Sequence, residues 1–203
     1  MKLVLASSNA GKLEELHALL DDVGVELIAQ TTLGVSDADE TGLTFVENAL
    51  LKARHAARLT GLPALADDSG ICVDALHGAP GLYSARYAGE HGNAQANIDK
   101  LLHALRDVPD ARRGAHFYCV LVLLRHAEDP QPLLVEGRWR GRIAHARTGS
   151  GGHGYDPVFV DPEHGQTAAE MPLALKNRIS HRGIALQQLK QRLAELLPGT
   201  ASA

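Results

Sequence analysis

Eight consecutive apolar residues at positions 117–124 set the strongest limit on how this chain folds. A membrane span needs about 18 such residues, so this run is far too short to be one. An unbroken apolar strand with no polar face is the signature of a central strand covered on both sides. The chain must therefore build a sheet with layers above and below it, and the rest of the sequence has to supply them.

The pattern on either side does so. Residues 3–6 read as a short buried strand, the leucines at 13, 16, 19 and 20 predict a helix over 12–20, and 25–29 read as a second strand. Residues 44–59 are strongly helical, with Thr44 as N-cap and Glu47 completing a capping box. Gly61 and Pro63 end that helix, and a strand begins over 63–66. Residues 98–105 predict an amphipathic helix, 133–137, 139–144 and 157–160 predict strands, and 184–197 predict a closing helix. Strands and helices alternate early while the middle is strand-rich, which is a mixed-sheet α/β pattern.

With 203 residues the chain suits one large domain or two small lobes sharing a core. It is read here as a single domain over 1–203, with a small-residue tail at 199–203 that frays. Aromatics are 4%, so the core rests on Leu, Ala, Val and Ile. A net charge of −4 with interspersed signs argues against general nucleic-acid binding, though a few local cations suffice for a small anion. Cys72 and Cys119 form no CxxC pair and read as buried small hydrophobes in a reducing compartment. With neither a membrane span nor a signal-peptide core, the expected location is cytoplasmic.

Five groups of residues carry chemistry. Ser7-Ser8-Asn9-Ala10-Gly11-Lys12 joins a strand to a helix, where free N–H groups and the helix dipole attract phosphate. It is not a Walker A loop, because Ala6 replaces the first Gly and Leu13 the Ser or Thr after the Lys. A simple capped turn remains an equal reading of the spacing. Ala66-Asp67-Asp68-Ser69-Gly70 sits where the strand is expected to end, and its carboxylates suit Mg²⁺; an Asp-rich turn is the plainer reading. Glu40 precedes the helix at 44, and Asn48 and Lys52 share one helix face, where an isolated Lys would simply be solvated. His153-Gly154-Tyr155-Asp156 ends a Gly-rich loop, and Lys176, then Ser180-His181-Arg182-Gly183, bring donors to the entrance of the closing helix.

Taken together, Ser-Ser-Asn-Ala-Gly-Lys (7–12), Glu-Asn-Ala-Leu-Leu-Lys-Ala (47–53), Ala-Asp-Asp-Ser-Gly (66–70), Gly-Ala-Pro-Gly-Leu-Tyr-Ser-Ala-Arg (78–86), Gly-Tyr-Asp-Pro-Val-Phe (154–159) and Ser-His-Arg-Gly (180–183) resemble the inosine/xanthosine triphosphate pyrophosphatases. The related Maf-like pyrophosphatases continue their opening with Ser-Pro-Arg-Arg, which this chain lacks.

The resemblance implies an elongated α/β fold with a long central mixed sheet, helices on both sides and two lobes flanking a cleft. It implies hydrolysis of deaminated purine nucleoside triphosphates to monophosphate and pyrophosphate by a Mg²⁺-dependent homodimer. Its partner is a small-molecule substrate, with no nucleic acid and no membrane. Ser7, Ser8, Asn9, Ala10, Gly11 and Lys12 would hold the triphosphate. Asp68 would be proton acceptor and, with Glu40, metal ligand. Ser69 would touch substrate, and His153, Gly154, Tyr155, Asp156, Lys176, His181 and Arg182 would form the nucleoside pocket. Two positions depart from the family pattern: His153 stands where a base-stacking Phe is usual, and Ser7-Ser8-Asn9 replaces Thr-Gly-Asn.

Overall fold

The computed structural model describes residues 2–8, Leu13, Leu16, Leu20 and 24–196. Among these, six strands form one sheet: β1 (Lys2–Leu5), β2 (Glu26–Ala29), β3 (Ala64–Val73), β4 (Gly114–Leu124), β5 (Leu133–Ile143) and β6 (Phe159–Val160), in the order β2-β1-β3-β4-β5-β6. The sheet is mixed. β1 runs parallel to β2, pairing Lys2 with Glu26, and parallel to β3, pairing Leu5 with Leu65. β6 runs antiparallel to β5, pairing Ile143 with Phe159. The helices are α1 (Phe45–Thr60), α2 (Ala94–Ala104), α3 (Leu173–Ile179) and α4 (His181–Leu196).

Two compact units share the chain. Met1–Asp68, Cys119–Glu136 and Ile184–Ala203 make the first, and Ser69–Tyr118 with Gly137–Gly183 make the second. The first unit's core joins Leu3, Leu5, Leu65, Leu121 and Leu189. The second unit's core joins Ile71, Leu101, Phe117, Trp139 and Phe159. Each such side chain taken out of water contributes roughly 1.5–3 kcal/mol before chain entropy is counted. No described helix is long and apolar enough to cross a membrane.

Local rules explain the best-formed elements. Thr44 Oγ accepts the Glu47 N–H at 3.2 Å, while Glu47 Oε2 accepts the Leu43 N–H at 2.8 Å, so helix α1 starts on a reciprocal cap as expected. It ends on Gly61, whose φ of 69° lets its N–H reach Ala57 O. Ala49, Ala53, Ala56 and Ala57 give the buried side of α1 a low profile. The expected helix over 12–20 is helical at its described positions, Leu13, Leu16 and Leu20; the remainder lies outside the described residues, as does the tail at 199–203.

Several expected boundaries move. The strands expected at 133–137 and 139–144 are a single strand, β5, because Gly137 keeps the inward phase of Val135 and Trp139. β4 is buried on both faces from Cys119 to Leu124, as the apolar run requires, but alternates before that, with His116 and Tyr118 half-exposed. Cys119 is buried as expected, whereas Cys72 is only partly so, and neither is in a disulfide.

The largest shift is at β3. It continues through Asp67, Asp68, Ser69 and Gly70 instead of ending near Ala66. Asp and Gly are depleted in strands, so local preference pointed to a turn. The place of the strand beside β4 overrides it, since the pairing with β1 ends at Leu65.

Candidate functional site

Because β3 stays extended through the two aspartates, they point to opposite faces of the sheet. Asp67 is 1% exposed and accepts a hydrogen bond from Cys119 Sγ at 3.6 Å. Asp68 faces the other way and meets Lys52, carried by the second turn of α1. Lys52 Nζ donates to Asp68 Oδ1 at 2.8 Å and to Glu40 Oε1 at 2.7 Å. Only 12% of the Lys52 side chain and 11% of that of Asp68 are exposed, against 30% for Glu40. The group is thus sunk at one end and open at the other.

The segment bearing Glu40 has no regular structure, so it is held by side chains. Asn48 Oδ1 accepts the Gly42 N–H at 2.8 Å, His55 Nε2 lies 3.0 Å from Ser36 O, and buried Gln30 donates to Asp37 Oδ1 at 2.6 Å. Electrostatics follow from the crowding. Burial alone would push the Lys52 ammonium down, but the charges of Asp68, Asp67 and Glu40 outweigh it and hold its pKa above the ordinary value. Burial raises the Asp68 carboxyl, and Glu40 and Asp67 add to that while Lys52 opposes it. Lys52, whose isolated reading was a solvated helix face, is therefore the centre of the cluster.

Of the expected phosphate-binding turn, Ser7 and Ser8 are described. Ser8 Oγ donates to Asp37 Oδ2 at 2.5 Å. Asn9, Ala10, Gly11 and Lys12 lie outside the described residues. Among the described residues no three His, Cys, Asp or Glu side chains gather to hold a metal by themselves. Two carboxylates do come together on Lys52, however, and Mg²⁺ takes one or two carboxylates and completes its shell with water and phosphate oxygens. The donor set fits that ion and is too sparse for one caged by protein alone.

A second group of expected residues assembles within the other unit. Ser69, next along β3, accepts from Arg182 Nη2 at 3.3 Å. His181 stacks on Phe117, ring centroids 4.8 Å apart and planes 11° from parallel. His181 and Arg182 were expected ahead of the closing helix; they form its first turn instead. Gly183 explains how. A side chain there would collide with Asn177 O, so only glycine lets α4 start so close to the end of α3. α3 itself was not foreseen, since seven residues after Pro172 are too few to show a helical period.

Lys176, on α3, is 8% exposed and forms a short ion pair with Asp156 Oδ2. The same oxygen accepts the His153 N–H at 2.8 Å. Gly152 has φ +69° and would carry a Cβ into Asp156, so the Gly-rich loop is an ordered structure built around one carboxylate. Tyr155 is buried, its hydroxyl donates to Ser84 O at 2.8 Å, and burial pushes that phenol up. His153 and the half-exposed Gly154 stand at the open side of this loop.

The arrangement has counterparts. A family model described as the Ham1 family matches residues 3–192. A protein of Xanthomonas campestris pv. campestris named dITP/XTP pyrophosphatase is 66% identical over 194 residues, covering 96% of this chain and 98% of the relative. One of the same name from Salmonella typhimurium is 60% identical over 192 residues, covering 95% and 98%. Among solved structures, a HAM1 protein from Coxiella burnetii superposes with a TM-score of 0.91 at 51% identity, covering 96% of this chain and 99% of that one. The chain belongs to the Ham1 family, and its mixed α/β sheet is that of its structural neighbours.

Proposed function

We propose that this protein hydrolyses deaminated purine nucleoside triphosphates (inosine, deoxyinosine and xanthosine triphosphate) to the monophosphate and pyrophosphate, clearing them before they enter DNA or RNA. The observation that carries this reading is Lys52 held between Asp68 and Glu40. Keeping a Lys and its carboxylates largely out of water is a poor way to stabilise a fold, since desolvation offsets most of the attraction. Such a cluster is instead suited to placing a divalent cation against a polyanionic substrate, and relatives 60–66% identical over nearly the whole length are named for this substrate class.

Mechanistically, the oxygen of a water forms a bond to the α-phosphorus as the bridge to the β-phosphate breaks. The bonding pair leaves on pyrophosphate, and the water's proton passes to Asp68. Lys52 holds Asp68 Oδ1 and so fixes the direction in which the carboxylate presents Oδ2. Glu40 and Asp68 would hold a Mg²⁺ ion, whose chemistry is to neutralise charge on phosphate oxygens and order a water. The turn from Ser7 to Lys12 holds the triphosphate, with N–H groups and an ammonium that favour departing pyrophosphate.

Base choice rests on donors. A 6-oxo purine offers an acceptor where adenine offers an amino group. Arg182, positioned by Ser69, would reward the first and be left unpaired by the second. Ser69, His153, Gly154, Tyr155, Asp156, Lys176 and His181 complete the nucleoside site in this reading. The enzyme is expected to act in the cytosol as a homodimer. Pyrophosphate release from inosine, xanthosine, adenosine and guanosine triphosphates with Mg²⁺ tests it. A strong preference for the first two is expected, and equal turnover of all four, or none, refutes it.

A further inference from the structure

The outward face of β5 in the second unit carries Arg138, Arg140 and Arg142, all exposed, while Trp139 and Ile143 point into the core. Alternation along a strand places the three guanidinium groups on one side at a repeat of roughly 7 Å. Among the described residues none of them forms an ion pair with a carboxylate. Asp110, the acid whose charge Arg142 reaches, is bonded to His145 instead. Neighbouring β4 adds half-exposed His116 and Tyr118, and the Arg138 guanidinium lies over the Tyr118 ring, 5.7 Å from its centroid.

The field of this stripe is felt nearby. Burial, together with Arg138 and Arg140, holds the His116 imidazole below its ordinary pKa, with Asp74 only partly opposing. Charge is also unevenly divided over the chain. The second unit has twelve Lys and Arg against nine Asp and Glu, a balance of +3, so the −4 of the whole chain comes from a first unit with eight against fifteen. Averaging over the sequence hides a positive surface that the fold gathers on one sheet face.

We infer that this face binds single-stranded nucleic acid. Guanidinium groups at a regular repeat match successive phosphates of an extended strand, and an aromatic ring beside them gives a base a platform. A sheet face presenting cations and an aromatic ring is a common way to hold single strands without reading their sequence. Three phosphate contacts predict modest affinity with a marked salt dependence, a slope of about −2 in log affinity against log salt. The Arg stripe lies outside the residues assigned to hydrolysis, so the two activities are separable.

The test is fluorescence anisotropy of a labelled 20-nucleotide oligothymidylate titrated with the full-length protein at ~50 and ~200 mM salt. Binding that weakens roughly 10- to 20-fold between the two salts is expected. In the triple variant R138Q/R140Q/R142Q that binding should fall at least tenfold and lose its salt slope, with inosine triphosphate hydrolysis unchanged and duplex of the same length bound more weakly by the native protein. Absence of binding at low salt, or equal binding by the triple variant, overturns the inference. So does a change of oligomeric state in the triple variant by light scattering without any oligonucleotide binding, which would make the stripe a contact between copies of the chain.

Discussion

Lys52 and Arg113 are both cations taken out of water, yet they are held by opposite kinds of partner. Lys52 sits among carboxylates, at the centre of a cluster in the first unit that is open at its Glu40 end, and it opposes the rise of the Asp68 pKa. Arg113, in the second unit, is 1% exposed and forms no ion pair with a described carboxylate, though the charge of Asp110 reaches it. Its Nε donates to Ile143 O at 2.8 Å, one terminal nitrogen to Leu105 O at 2.6 Å and Val108 O at 3.3 Å, the other to Ala144 O at 2.9 Å. Backbone carbonyls cannot move without unfolding the chain, so that arrangement is a clamp tying the end of α2 to β5. Carboxylate side chains can turn to a metal, a water or a proton. Buried charge alone therefore does not mark a site; the freedom of its partners does.

The sharpest way to break this contrast is at the clamp. Replacing Arg113 with Met removes the cation and takes its donors from four backbone carbonyls. A stability loss of about 3–5 kcal/mol is expected in chemical denaturation, with turnover per folded molecule intact. Lys in its place should recover little, because one ammonium cannot fork to four carbonyls on two segments. A small change in stability, or a large one in turnover, would remove the distinction.

The converse change is Asp68→Asn. It keeps the shape of the cluster and leaves Lys52 its Glu40 partner, so the fold should lose little. Turnover should fall by roughly 10²-fold or more, the usual loss when a positioned acid–base group is removed. Near-normal turnover in a folded Asp68→Asn protein would take Asp68 out of the reaction.

How much of this was legible beforehand follows the same division. Features set by local sequence were visible: the Thr44 cap and the apolar run of β4, and β5 too, although it was read as two strands. Asp68 and Glu40 were recognisable through motif resemblance, but the path to them was misread, because a strand carrying two Asp and a Gly contradicts local preference. Lys52 looked like a solvated helix residue, since nothing in α1 reveals that β3 and the Glu40 segment close over it. Arg113 gave no signal whatever. Its partners are carbonyls, which every residue has, so only the fold could select them. The Arg stripe was hidden in a different way, by a net charge that averages two unlike units.

A smaller effect is expected at Arg182, which donates to Ser69 Oγ at 3.3 Å. Arg182→Ala should narrow the preference for inosine over adenosine triphosphate, read as the ratio of kcat/KM for the two, by about tenfold. The ratio, not the absolute rate, is the measure, because loss of packing at the start of α4 would depress both substrates together. An unchanged ratio would assign base reading to other donors.

The smallest effect is expected at His153, and it tests whether the exposed side of the second unit's loop works as a platform. The loop backbone is fixed by Asp156, which holds the His153 N–H and Lys176 at once. The ring itself is exposed, so removing it should leave stability nearly untouched. If the imidazole stacks on the purine, it contacts ground state and transition state alike, and His153→Ala should raise KM for inosine triphosphate a few-fold at constant kcat. His153→Phe should restore or lower KM, because a larger apolar ring stacks on the base at least as well. The pair of variants separates stacking from loop shape: a distorted loop would worsen with either substitution, whereas a lost platform is repaired by one of them. A wild-type KM in the Ala variant would mean that the base is covered by something other than His153.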